Sequence, residues 1–151
     1  MLLKEEFEMD EKEKIARKIR SMKKYVDFLR SYKSVTEERL EDDYELRSAI
    51  ERNFHLAIES ALDIGEIIIS AEGFEKPEDY RSVILILERH KIIPTDFAER
   101  FIEAVSFRNI LVHMYEEVDI GELHNCLQSN LGDFNDFARY IARYLEKGEQ
   151  Q

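Results

Sequence analysis

RSAIERNFHLAIESALDIGEIIIS, residues 47–70, reads as one face of a long helix. Together with Leu46, the apolar residues Ile50, Phe54, Ala57, Ile58, Ala61, Ile64 and Ile68 recur at spacings of three and four, the helical period. No proline interrupts the pattern before Pro77, and Gly73 is placed to terminate it. Upstream, SVTE at 34–37 has the form of a capping box in which Ser34 accepts from the backbone and Glu37 reaches back. A helix running from that box to Gly73 would hold about 37 residues and extend about 55 Å, long enough to expect an interruption, for which Gly65 is the expected weak point.

The flanking sequence repeats the helical signal. Ile15, Ile19, Met22, Val26 and Leu29 form one stripe, predicting a first helix from Asp10 to Tyr32. Tyr80 to His90 is a third, short helix whose VILIL centre, 83–87, is apolar on every side and belongs deep in a core, with a β-strand as the competing reading. IPTDFAERF opens a fourth, with Pro94 as boundary and Thr95 as N-cap before Phe97, Phe101, Ile102 and Val105. DIGE at 119–122 repeats the cap signature, and Leu123, Leu127, Leu131, Phe134, Phe137, Ile141 and Leu145 carry one last helix. Short connections make successive helices antiparallel neighbours. The expected fold is all-α, an up-and-down antiparallel bundle of about five helices in one domain, 1–151.

Bulk properties narrow the function classes. The 151 residues are 44% hydrophobic and 36% charged with five Gly and two Pro, a composition of long helices with few turns. The net charge of −11 argues against a broad basic surface for duplex nucleic acid but leaves room for a small basic cleft. Charge is unevenly spread: residues 12–24 hold seven Lys and Arg against Glu13, while residues 37–45 hold six acids against Arg39. Such runs are either solvated faces balancing one another or, for the first, a nucleic-acid patch. Cys126 is the only cysteine, so no intrachain disulfide and no Cys-rich zinc knuckle can form, which fits a reducing cytoplasm. The N-terminal sequence lacks an apolar stretch of signal-peptide length and VILIL is too short to span a bilayer, so a soluble cytoplasmic chain is expected.

SFRNILVHMYEE, 106–117, is where chemistry concentrates. A helix that only filled a core would not carry Arg108, Asn109 and His113 among Phe107, Ile110, Leu111 and Val112, because an unpaired buried polar group costs roughly 1–3 kcal/mol. On a helix Asn109 and His113 lie about 40° apart, and Arg108 and Tyr115 are nearly eclipsed, so the four form two adjacent rows. Arginine offers a rigid fork of donors to a phosphate, and an ordinary imidazole exchanges a proton near about pH 6.5. From spacing alone two readings stand: a phosphoryl-transfer site, or Arg108 paired with a bundle carboxylate and His113 hydrogen-bonded in the core. Asp63, among apolar residues of the long helix, either supports a motif residue or is a surface or capped aspartate. Metal chemistry finds no donor set: a di-metal bundle needs Glu-x-x-His pairs, which Glu59, Asp63, Glu66, His55 and His90 do not form, and His124 and Cys126 point to different faces. No Gly-rich phosphate loop and no Gly-x-Ser-x-Gly elbow is present, and no cofactor is expected.

RNILVHMY resembles the signature of the HEPN superfamily, an arginine, four spacers, a histidine, one spacer and a tyrosine, and in particular its HepT-like toxin branch, including the polar residue after the arginine. The resemblance extends over roughly residues 45–145, through the long helix, KPEDYRSVILILERHKIIP and FRNILVHMYEEVD, and covers the basic first helix only in general character. It implies a bundle that forms a homodimer through the motif helix, with two Arg–His sets around one cleft. By position, Arg108 would grip the phosphate, His113 would be the acid–base group and Asn109 would orient the phosphate or the imidazole. The resemblance further implies a metal-independent endoribonuclease acting on RNA, a toxin whose partner is a minimal nucleotidyltransferase antitoxin able to add AMP to Tyr115. The alternative is a noncatalytic HEPN-like dimer that binds a nucleotidyltransferase or a nucleotide. The acidity of the chain is the feature least suited to RNA cleavage.

Overall fold

Asp43 divides the long helix. In the computed structural model, which describes residues 2–112 and 118–150 and the side chains of 10–111 and 118–148, the Asp43 backbone N–H bonds the Arg39 carbonyl at 2.8 Å while its side chain accepts from Leu46 N at 3.0 Å. One residue thus ends one helix and starts the next. The described chain runs α1 (Leu2–Ser31), α2 (Glu37–Asp42), α3 (Tyr44–Glu72), α4 (Tyr80–Arg89), α5 (Thr95–Val112), α6 (Ile120–Ser129) and α7 (Leu131–Gln150). The fold is the all-α bundle expected, with two of the expected helices each split in two.

The caps explain the differences. Thr36, rather than Ser34, caps α2, its Oγ1 accepting from Arg39 N at 3.1 Å. Gly65 does not interrupt α3; it continues the helix and is buried. Gly73, at φ 69°, ends α3 as expected, its N–H directed at the carbonyls of Ile69 and Ser70. VILIL is helical, because Asp79 and Ser82 close a capping box: Ser82 N donates to Asp79 Oδ1 at 2.7 Å and Asp79 N to Ser82 Oγ at 2.9 Å. Of that run only Leu85 is exposed. Thr95 is the first residue of α5 rather than its cap, and its hydroxyl donates to Glu88 at 2.8 Å. Asp119 caps α6 as expected, accepting from Glu122 N at 3.0 Å, but Asn130 stops that helix, its N–H returning to the Cys126 carbonyl at 3.0 Å, and α7 begins afresh.

α4 ends in a Schellman motif, with Ile92 N bonded to the Leu87 carbonyl and Lys91 N to that of Glu88, both at 2.9 Å. Lys91 takes the left-handed position at φ 61° that glycine occupies at least cost.

α3 is the central helix, packed against α1, α2, α4, α5 and α7. Its buried stripe meets Ile15, Met22, Val26 and Leu29 of α1 on one side and Val83 and Leu87 of α4 on another. Phe101 of α5 stacks at 4.8 Å on Phe137 and meets Phe134 edge-on at 5.7 Å, joining α5 to α7. Gly65 permits the close approach of α4: a Cβ there would lie 2.6 Å from Val83 Cγ1 and 3.3 Å from Leu87 Cδ1. Among the described residues no helix is long and apolar enough to cross a membrane.

Gly65→Ala gains about 1 kcal/mol of helix propensity but overpacks the α3–α4 contact at a cost of about 1–3 kcal/mol. A net loss of about 1 kcal/mol, or about 2–4 °C in Tm, is expected by thermal denaturation. Lys91→Gly acts in the opposite sense: relief of left-handed strain, about 1–2 kcal/mol, exceeds the added unfolded-state entropy of about 0.4–1 kcal/mol, and Tm rises.

Candidate functional site

The last two turns of α5 lie against the middle of α3. Phe107 is buried and meets Phe54 edge-on, ring centroids 5.7 Å apart, which fixes the rotation of α5 about its axis. With Phe107 inward, Arg108 comes to the edge of the α3–α5 seam and Asn109 faces solvent. Arg108 Nε donates to Glu59 Oε1, and the two side chains are 34% and 33% exposed, so the pair sits at the surface rather than in a sealed core. His55, one turn earlier on α3, places its Nε2 3.6 Å from the same Glu59 oxygen. Asn109 Nδ2 donates to the Tyr80 hydroxyl at 3.2 Å, tying the motif helix to the start of α4.

The Arg108–Glu59 bond uses one edge of the guanidinium. Among the described residues no bond is formed by its Nη1 or Nη2, the pair of parallel donors that suits a phosphate. Glu59 therefore orients the guanidinium plane through Nε, and among the described residues nothing occupies the bidentate edge. A carboxylate of this exposure contributes little to stability, about 0–1 kcal/mol, so its principal effect is geometric.

Asp63, the next turn of α3, meets Lys18 Nζ at 2.8 Å, and among the described residues it pairs with no residue of the motif. This contact places the basic first helix. His55, Glu59 and Asp63 are four residues apart and form one polar strip on α3, with Arg108 reaching it from α5 and Lys18 from α1. His113 and Tyr115 lie outside the described residues.

Sequence reasoning named Arg108 and Asn109 and gave a bundle carboxylate as one reading of the Arg108 partner, but identified neither Glu59 nor Tyr80 as the contact. Glu59 and His55 had entered only as failed metal ligands, and Tyr80 not at all as a contact of the motif. The readable signal was His55-x-x-x-Glu59 on the polar arc of the long helix; what it faces is a tertiary matter. Elsewhere, His124 Nε2 lies 3.0 Å from the Val35 carbonyl, holding α6 to the α1–α2 connection. Burial pushes the Cys126 thiol up to about 11, away from nucleophilic or metal-binding use at neutral pH. Among the described residues no group of three or more His, Cys, Asp or Glu is arranged to hold a metal ion.

Residues 22–141 match the model of the ribonuclease HepT-like family. The chain belongs to that family. Among similar proteins, the putative RNase YutE of Bacillus subtilis (strain 168) is 30% identical over 98 residues, 65% of this chain and 68% of that protein. The tRNA nuclease HepT of Aphanizomenon flos-aquae is 23% identical over 128 residues, 85% of this chain and 87% of that protein. The fold is similar to that of the tri-AMPylated Shewanella oneidensis HEPN toxin, solved in complex with MNT antitoxin, with a TM-score of 0.77, 22% identity and coverage of 86% of this chain and 97% of that one.

Loss of the orienting carboxylate has a signature independent of any substrate. In Glu59→Ala the Arg108 Nε–H is expected to lose its protection from solvent exchange, read by 1H–15N NMR of the arginine side chains, while Tm falls by no more than about 2–4 °C, the equivalent of about 1 kcal/mol.

Proposed function

We propose that this HepT-like chain is a metal-independent endoribonuclease, the toxin of a toxin–antitoxin pair. The observation that carries the reading is the setting of the motif arginine: it is at the surface, held by Glu59 through Nε, with its phosphate-matching edge without a partner among the described residues. The tRNA nuclease activity in the name of one relative supports RNA as the substrate class.

In the proposed reaction a base takes the proton of a ribose 2′-hydroxyl, and the 2′-oxygen attacks the adjacent phosphorus. The 5′-oxygen of the next nucleotide leaves and accepts a proton, giving a 2′,3′-cyclic phosphate and a free 5′-hydroxyl. His113 is assigned the proton transfers, worth about 10²–10⁴ in rate. Arg108 steadies the charge that builds on the phosphoryl oxygens, worth about 2.7–4 kcal/mol for a preorganised donor. Asn109, fixed to Tyr80, lies one residue along and is assigned to orienting the phosphate or the imidazole. No step requires a metal.

A homodimer in which two motif helices face each other would bring two Arg–His sets to one cleft, and Lys18, paired with Asp63 one turn of α3 from Glu59, would then stand beside that cleft. The partner proposed is a minimal nucleotidyltransferase antitoxin, in keeping with the MNT antitoxin bound to the Shewanella toxin of like fold. AMP added to Tyr115, seven residues after Arg108 in the sequence, would set a bulky anion in the motif to compete with substrate for the guanidinium. The pairing of Arg108 with Glu59 is also what a noncatalytic dimer would show, so that reading is kept as the second.

RNA digestion in EDTA separates the two. Wild type is expected to leave 2′,3′-cyclic phosphate ends, and His113→Ala and Arg108→Ala are expected to lose about 10²-fold or more with unchanged far-UV circular dichroism. Glu59→Ala should lower kcat about tenfold, with partial recovery in Glu59→Gln, which keeps an oxygen to accept from Nε. Wild type that cuts no RNA would leave the noncatalytic dimer.

A further inference from the structure

At the far end of α5 from the motif, about 20 Å along the helix at 1.5 Å per residue, an open groove of about 280 Å³ lies between the α4–α5 connection and α7. Its rim carries Lys91 on one side and Arg143 and Lys147, one helical turn apart, on the other. These three side chains form no ion pair or hydrogen bond among the described residues, on a chain whose net charge is −11. The one acid in its lining is Glu88, which accepts from the Thr95 hydroxyl at 2.8 Å; Glu146 stands on α7 between Arg143 and Lys147, and Glu72 is near Tyr144. Asp96, in the first turn of α5, pairs with Arg100 at 3.9 Å. In the lining itself three cations stand against one acid, Glu88, so the groove wall is net positive.

Two features suggest that the groove is built for a ligand. Lys91 occupies a left-handed backbone position that favours glycine, so a charged side chain is kept at the rim at the expense of backbone ease. Tyr144 lines the same groove, its phenol pushed up to about 12 by burial and by the nearby Glu72 carboxylate. Cations on both sides of an open channel with an aromatic ring in its wall suit a strand whose phosphates track the rim and whose base stacks.

We propose that this groove is a second docking site for the RNA strand, taking phosphates about 20 Å from the motif. It rests on the ribonuclease reading and extends it: a strand held at both ends of α5 is presented to Arg108 in register, so length of substrate matters as well as local sequence.

The test uses the full-length protein and a fluorescent 2′-O-methyl oligoribonucleotide, which cannot undergo 2′-oxygen attack, titrated by anisotropy from 50 to 200 mM salt. The variant combines Lys91→Gly, Arg143→Gln and Lys147→Gln. Loss of about tenfold in affinity at low salt, with the slope of log K on log salt reduced by about two for three lost phosphate contacts, is the expected result. Lys91→Gly alone should weaken binding while raising Tm, which damage to the fold would not do. Unchanged RNA affinity in the triple variant, with RNA cleavage intact, overturns the groove and leaves the ribonuclease standing. Wild type that neither binds nor cuts RNA overturns both. Saturable binding of AMP or inorganic phosphate that the triple variant loses, with RNA affinity unchanged, assigns the groove to a small anion and overturns the RNA assignment.

Discussion

α3 is packed against five other helices, and it is buried on one broad arc while a narrow strip stays polar. Everything else in the structure is arranged about that division. The buried arc includes Gly65, where α4 comes so near that a Cβ would meet Val83. The polar strip, His55, Glu59 and Asp63, is where α5 and α1 approach from either side, and each brings one cation to one carboxylate. A helix of this kind does two tasks that a fully buried helix cannot: it fills the core and it presents charges at fixed spacing to the elements beside it.

The same division explains why the motif arginine is at the surface of the bundle and still ordered. Phe107 against Phe54 sets the rotation of α5, and rotation by one residue then brings Arg108 to the seam, where Glu59 receives Nε. A guanidinium held this way loses less conformational freedom when it meets a phosphate than one free in water. The ribonuclease HepT-like family to which the chain belongs is thus represented here by a motif whose first residue is anchored to a carboxylate of a neighbouring helix.

Much of this was legible before any coordinates. The three-and-four spacing of Ile50, Phe54, Ala57, Ile58, Ala61, Ile64 and Ile68 defined the central helix because burial of one helical face requires that period, and all seven are buried. Caps were read less well. Ser34 and Thr36 are two residues apart before the same acids, and a local rule cannot choose between two hydroxyls when the answer depends on where α1 releases the chain. The splits at Asp43 and Asn130 escaped for a related reason: each interruption keeps the apolar stripe in phase, so periodicity alone does not see it.

By itself the sequence determined the fold class, the core and the residues of the motif, since these depend on local periodicity, on composition and on a spacing with a chemical meaning. Only the tertiary structure decided which carboxylate meets Arg108, that Asp63 belongs to Lys18, and that Lys91, Arg143 and Lys147 share one groove. Those pairings join residues on different helices, tens of positions apart, and charge–charge contacts leave no periodic trace along a chain. They follow from how the helices rotate and approach, which is set by packing in three dimensions.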